Sequence, residues 1–498
     1  MYDESLSLAE SAIPYGGRNV NAQPINPTIS SQNALASHPS ANGNPSTQAA
    51  ISAAYPWRDG GWMRYRTGKF TRRALSSRPI HIYEIHPDTC MRTSDGDTLS
   101  CDALARELAP YVKQMGYTHV ELMAPDRPSH PFPILQAGTP DDWKGFVDSM
   151  HEAGVGIIVD WSPAMAAEQL SKPLALADKA GRAELIELVA DAIEAYHLDG
   201  IYLDVAPLIG QDDALPLFLG ELDTALERRF PDLITIADDR ALSDADIDRD
   251  RFSLRRDNGW TEDILSYMQQ DPLWRKYEHQ KLILPLSYAF GSRYLLAIPH
   301  NAVDIAHNSL LDRMPGTYEQ KFANVRLLLA QMMLRPGKKQ IFMGCEIGTF
   351  RAWAPDRPIE WFLTDHTLHA ALQQYCADLD LLYLEQKALH ELDISREGFG
   401  WIDASNAEES VCSFCRYAAD GSELVVVLNF TPVERENVTL PVPHDGIYEE
   451  IFNSDAQKYG GNGKQNVGSF AARTVPGTPH AIRITLPPLS ALVLKRAK

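Results

Sequence analysis

The sequence predicts an α/β fold, a (β/α)8 TIM barrel followed by an all-β C-terminal domain. Three observations lead to it. Between residues 79 and 392, short apolar runs alternate with longer helical segments about eight times, which favours a closed barrel over an open sheet. The runs are continuous rather than alternating, as in parallel strands covered on both faces. Beyond residue 392 the helical pattern stops, and alternating strands separated by turns take over.

Taken in order, "IHIYEIHP" (80–87) reads as a strand and "CDALARELAPYVKQMG" (101–116) as a helix. "HVELMAP" (119–125) precedes "TPDDWKGFVDSMHEAG" (139–154), where Thr139 is a candidate N-cap and Gly154 a stop. "GIIVDWSP" (156–163) leads to a helix over 182–197, then "GIYLDVA", the helix "LPLFLGELDTALERRFP" and "LITIADD" (233–239). "YLLAIPH" (294–300) and "KKQIFMG" (338–344) flank the helix "TYEQKFANVRLLLAQMML". In residues 393–498, "GSELVVVLNFTP", "VTLPVP" and "AIRITLPPLSALVLKR" read as strands. Residues 1–55 are rich in Ser, Asn, Ala, Pro and Gly, too poor in apolar surface to offset the entropy of ordering. They are predicted to be a disordered tail, with 56–78 as a linker.

The 498 residues carry a net charge of -20. That balance opposes nucleic acid and anionic membrane surfaces as partners, and leaves a neutral ligand open. No run of about 18 apolar residues could span a bilayer. "MYDESLSLAE" lacks the basic start and apolar core of a signal peptide. With six scattered cysteines, these features predict a reducing, cytoplasmic location. Cys412 and Cys415 form a C-x-x-C inside the alternating strand "ESVCSFCRY", with no second Cys pair or nearby His, so packing is their expected role. No metal constellation is visible, and no cofactor is expected.

Chemistry in such a barrel sits where strands end. In "HLDGIYLDVA" (197–206) a β-forming run closes on an acid, Asp204, instead of a turn residue. One acid there is explained by capping of the next helix. Around the barrel, however, the strand ends give His86, Asp160, Asp204, Asp238 with Asp239, His300 with Asn301, and Glu346. Capping alone does not account for that set, which points to a carboxylate-based active site, present or ancestral.

Several blocks then resemble one family closely: "GYTHVELM", "GTPDDWKGFVDSMHEAGVGIIVDWSP", "NSLLDRMPGTYEQKFANVR", "PGKKQIFMG", "KALHELD" and "LPPLSALVL". They are similar to bacterial 1,4-α-glucan branching enzymes, members of the α-amylase superfamily in glycoside hydrolase family 13. The resemblance covers roughly residues 79 to 498. It implies the barrel, the β domain and a retaining transfer of α-1,4-glucan chains, which uses two carboxyl groups about 5 Å apart.

By that resemblance Asp204 holds the nucleophile's position, and the Arg that accompanies it in the family is Tyr202 here. A phenol cannot pair with the nucleophile as an ion. The acid/base Glu is Asp238, one methylene shorter, and a displacement near 1 Å costs on the order of 100-fold. The third carboxylate is Asn301. Asp160 is retained, the histidine expected after Pro163 is Met165, and His86, His300 and Glu346 match family residues. Trp161, Tyr202, His300 and Trp353 are expected to offer stacking faces or hydrogen bonds to sugar. The loops after 125 and after Pro163 are short for the family.

Three functions follow as expectations. The first is a pseudoenzyme that binds α-glucan or oligosaccharide, or regulates glycogen synthesis. The second is an active branching enzyme using Asp204 with Asp238 or Asp239. The third is a non-catalytic partner of a true branching enzyme.

Overall fold

The computed structural model describes residues 55–58, 77–124, 138–169, 174, 176–205, 208, 213–238 and 251–497. The predicted tail, apart from Tyr55, lies outside them, as do residues 59–76 of the predicted linker. Eight parallel strands close into a barrel in sequence order: β1 (His81–Ile85), β2 (His119–Leu122), β3 (Gly156–Trp161), β4 (Gly200–Leu203), β5 (Ile234–Asp238), β6 (Leu254–Arg256), β7 (Tyr294–Ile298) and β8 (Lys338–Phe342). β8 returns to pair with β1, with Lys339 opposite His81 and Phe342 opposite Glu84. The expected closed barrel is therefore present. One strand escaped the sequence reading: β6 has three residues, two of them arginines, so it shows no apolar run.

The helices are α1 (Cys101–Met115), α2 (Pro140–Glu152), α3 (Pro163–Gln169), α4 (Lys179–Tyr196), α5 (Leu215–Arg229), α6 (Asn258–Gln269), α7 (Gln280–Tyr288), α8 (Tyr318–Leu334) and α9 (Thr367–Glu385). Their ends follow local chemistry. Thr139 accepts from the Asp142 amide while Asp142 reaches back to the Thr139 amide, a closed capping box at α2. Thr317 and Gln320 do the same at α8. Asp178 caps α4, which therefore begins three residues before the predicted Arg182.

Strand alternation divides the barrel into two apolar layers. Ile80, Ile82, Ile158, Ile234, Ile236, Leu254 and Leu295 fill the lower interior, with Tyr202 against them. Outward-facing Tyr83, Val120, Ile157, Val159 and Ile201 pack under the helices. Gly200 opens β4 because a Cβ there would lie 2.7 Å from the Ile234 carbonyl oxygen of the neighbouring strand.

The C-terminal part forms two sheets from β9 (Phe399–Asp403), β10 (Val411–Tyr417), β11 (Glu423–Asn429), β12 (Arg435–Pro441), β13 (Ile447–Asn453), β14 (Ser469–Ala471), β15 (Arg473–Val475), β16 (Thr478–Leu486) and β17 (Ser490–Arg496). One sheet has the order β14-β13-β17-β11-β10-β9 and the other β12-β16-β15. Cys412 lies in the core shared with the barrel, and Cys415 lies in the core between the two sheets. The C-x-x-C thus spans both faces of β10 and cannot chelate one ion.

Barrel and β domain are joined by buried cations. Arg416 on β10 donates to the Leu334 carbonyl at 3.0 Å and to Asp393 at 2.7 Å. Lys338 on β8 donates to the other Asp393 oxygen at 2.8 Å. Arg275 reaches the Phe430 carbonyl at 2.8 Å, and Arg326 the Ser454 carbonyl at 2.9 Å. Removing one member of such a group strands the others without water. Asp393→Ala is expected to lower the unfolding free energy by about 3–5 kcal/mol in urea titrations of the full chain.

Candidate functional site

The upper interior of the barrel is polar because its inward positions change from aliphatic to charged near the strand tips. β1 supplies Glu84, β2 Glu121, β3 Asp160, β4 Tyr202, β5 Asp238, β6 Arg256 and β8 Gln340. In the strand register Glu84 stands opposite Glu121, Asp160 opposite Tyr202, and Asp238 opposite Arg256. Glu84, Glu121, Arg256 and Gln340 are fully buried or nearly so.

Arg256 organises the group. Its Nη2 donates to Glu121 Oε1 at 2.8 Å, and its guanidinium lies 3.9 Å above the Tyr202 ring centre. Gln340 Nε2 donates to Glu121 Oε1 at 3.1 Å and to Glu84 Oε2 at 3.2 Å. His300, in the turn after β7, places Nδ1 2.5 Å from Glu84 Oε1 and donates its backbone N–H to Glu84 Oε2 at 3.2 Å.

Three carboxyl groups thus crowd around one guanidinium and one imidazole. Burial opposes ionisation of Glu84, yet the charge and hydrogen bond of His300, with Arg256, outweigh it and hold its pKa below the ordinary value. Glu121 is pushed up to about 7 by burial, partly offset by Arg256. Asp160 is raised well above its ordinary value, first by burial and then by the charges of Glu121 and Glu84. Asp160 Oδ1, Glu121 Oε2 and Arg256 Nε are sealed from solvent and have no hydrogen-bond partner among the described residues.

The residues singled out by sequence fall into three groups. Asp204 and Asp238 are half-buried at the tips of β4 and β5. Leu203 pairs with Ala237, so the two acids are next in register. Asp204 acts on Asp160 and Asp238 on Tyr202 as neighbouring negative charges. Burial raises the Tyr202 hydroxyl despite Arg256, so the ring is a neutral phenol. Asn301 is exposed in the turn His300–Ala302, and Asp239 lies outside the described residues.

At the rim, Trp353 is half-buried, with its ring 5.8 Å from that of His300 and 5.6 Å from that of His86. His86 is buried, its Nδ1 3.0 Å from Thr89 Oγ1. Trp353 also lines a cavity of about 260 Å³ with Val303, Met343, Arg357, Glu360 and Phe362.

Two expectations need correction. Trp161 is 1% exposed and packs against Phe218 of α5, so it presents no face to a sugar. Strand alternation is the reason: with Asp160 inward, Trp161 must face outward. Glu346 is likewise fully buried and accepts hydrogen bonds from Tyr83 at 2.7 Å and Tyr111 at 2.8 Å, outside the barrel interior. It braces β1 against α1. Glu84, Glu121 and Gln340 were missed by sequence reading because they stand inside strands rather than at their ends, and Arg256 because β6 itself was not read as a strand. The signal was available in charged residues interrupting apolar runs, as in "IYEI" and "HVEL".

Among the described residues, no group of three or more His, Cys, Asp or Glu side chains is arranged to hold a metal ion. No described helix is long and apolar enough to cross a membrane.

Residues 401–497 match the family described as the α-amylase C-terminal all-beta domain. Among relatives, the chain is 36% identical to the 1,4-alpha-glucan branching enzyme GlgB of Albidiferax ferrireducens, over 91% of this chain and 82% of that protein. It is 34% identical to the GlgB of Nitrosomonas europaea, over 91% of this chain and 70% of that one. Solved structures with the same fold include an α-amylase from Geobacillus thermoleovorans complexed with acarbose, at a TM-score of 0.62 and 13% identity over 85% of this chain and 99% of that one. AmyP in complex with maltose superposes with a TM-score of 0.64 at 13% identity, over 85% and 97% of the two chains.

A pH series tests the interior charge group. A carboxyl whose folded pKa is raised binds its proton more tightly in the folded chain. Its contribution is complete below the unfolded value near 4 and is lost as pH rises toward the folded value. Asp160→Asn imitates the neutral acid. Its melting temperature is expected to match the wild type at pH 4 and to exceed it increasingly toward pH 8, measured by scanning calorimetry.

Proposed function

We propose that this chain, which belongs to the 1,4-α-glucan branching enzyme family of the α-amylase superfamily, is a glucan-binding member whose barrel no longer performs branching. The observation that carries this reading is Tyr202. Retaining transfer needs Asp204 ionised and oriented, and a cation beside it favours that state. Here the neighbouring position is a neutral phenol. The cation that faces it, Arg256, is hydrogen-bonded to Glu121 within the barrel.

Two further substitutions act in the same direction. Asp238 is a methylene shorter than the acid/base Glu it replaces, and the exposed amide of Asn301 brings no charge to an oxocarbenium-like centre. Losses of this kind typically cost 10²–10⁴-fold each, though they do not add independently. What remains suits binding. His300 and Trp353, both half-buried at the rim, offer a ring face and a hydrogen bond to an uncharged, hydroxyl-rich ligand. The ligand is an α-1,4-linked glucan, and the role is in glycogen metabolism without chain transfer.

A second reading has one observation in its favour. Asp204 and Asp238 are next in register on adjacent strands, a placement that suits a retaining pair. Iodine staining of amylose separates the two. The protein is expected to leave the amylose–iodine colour unchanged, and branching that disappears in Asp204→Asn would overturn the first reading. Isothermal titration with maltoheptaose is expected to give heat at millimolar sugar. His300→Ala should weaken binding by about tenfold, the loss of one hydrogen bond.

A further inference from the structure

The turn between α6 and α7 displays two aromatic rings in water. Trp274 is 59% exposed and Tyr277 67%, beside Leu273 at 77%. The rings are in contact and tilted against each other, with centroids 5.9 Å apart and planes 32° from parallel. α6 begins directly after the tip of β6 and runs away from it, so this turn is remote from the barrel mouth.

The turn is held firmly from beneath. Arg275, between the two aromatics, is fully buried and donates to the carbonyls of Phe430 and Met268 and to Asn324 Oδ1, at 2.7–2.8 Å. Asp271 Oδ1 accepts from the Leu273 amide at 2.9 Å, and His279 is anchored by its Nε2 at 3.1 Å from the Ala404 carbonyl oxygen. Exposed rings on a braced turn lose little freedom when something lies across them.

We propose that Trp274 and Tyr277 form a second binding platform for an α-glucan chain, separate from the barrel mouth. The proposal rests on the glucan-binding reading above and adds a site to it. Sugar rings present C–H faces that pack on aromatic faces, and the outer faces of two adjacent rings engage neighbouring units of one chain. The rim supplies hydroxyl partners in exposed Gln270 and Asp271 and in Lys276, whose Nζ is 5.1 Å from the Tyr277 ring centre. Lys276 pairs with Glu408 at 2.9 Å, which leaves the Asp271 carboxylate as the rim's net charge. A rim of that sign, on a chain of net charge -20, repels a polyanion and leaves an uncharged polymer.

Native gel electrophoresis of the full chain, with and without glycogen cast in the gel, tests the platform. The wild type is expected to be retarded by glycogen. The double variant W274A/Y277A should bind about tenfold more weakly, W274F/Y277F should keep most of the retardation, and His300→Ala should still be retarded. Both aromatics are exposed, so melting temperatures should be unchanged, and the Phe pair controls for folding. Equal retardation of W274A/Y277A and wild type overturns the platform and leaves glucan binding standing. A wild type that neither slows in glycogen nor gives heat with maltoheptaose overturns both. A dimer in sedimentation that W274A/Y277A converts to monomer overturns the proposal in favour of self-association.

Discussion

A guanidinium sealed inside the barrel is the constraint around which the upper interior is arranged. Arg256 has almost no exposure, so it is tolerated only because Glu121 pairs with it and the Tyr202 ring lies against it. Each neighbour follows from that placement. Gln340 ties Glu121 to Glu84, and His300 closes the chain by pairing with Glu84. Negative groups outnumber cations here, and burial raises the pKa of Asp160 and pushes that of Glu121 up to about 7.

This arrangement alters the meaning of Tyr202. Read as sequence, the residue is a missing arginine. In the structure it is one face of a sandwich whose other face is an arginine contributed by β6. The charge absent from β4 is present two strands away, but it is directed at Glu121 and not at the strand tips.

The barrel itself was legible because its strands are continuous apolar runs and its helices carry recognisable caps. Thr139 and Thr317 mark starts that follow from hydrogen-bond chemistry alone. β6 was illegible for the same physical reason that it matters: a strand of Leu254, Arg255 and Arg256 has no apolar signature, although both arginines are buried. The strand tips gave Asp204 and Asp238, which the structure places next in register, and His300, which it places against Glu84. Sequence could not tell that Trp161 and Glu346 face the helices, because direction depends on register, and one residue of shift reverses it. The acids inside β1 and β2 were hidden in plain view among Ile, Val and Leu.

The buried cations that cross from barrel to β domain carry a consequence for anyone rebuilding this protein. Arg275 and Arg326 each donate to a carbonyl supplied from beyond residue 429, so a barrel excised by itself would leave both guanidinium groups short of an acceptor on that face. The β domain is accordingly the lid on a set of internal cations rather than a detachable appendage. A scaffold borrowed from this chain for new chemistry has to include it, however distant it lies from the loops being redesigned.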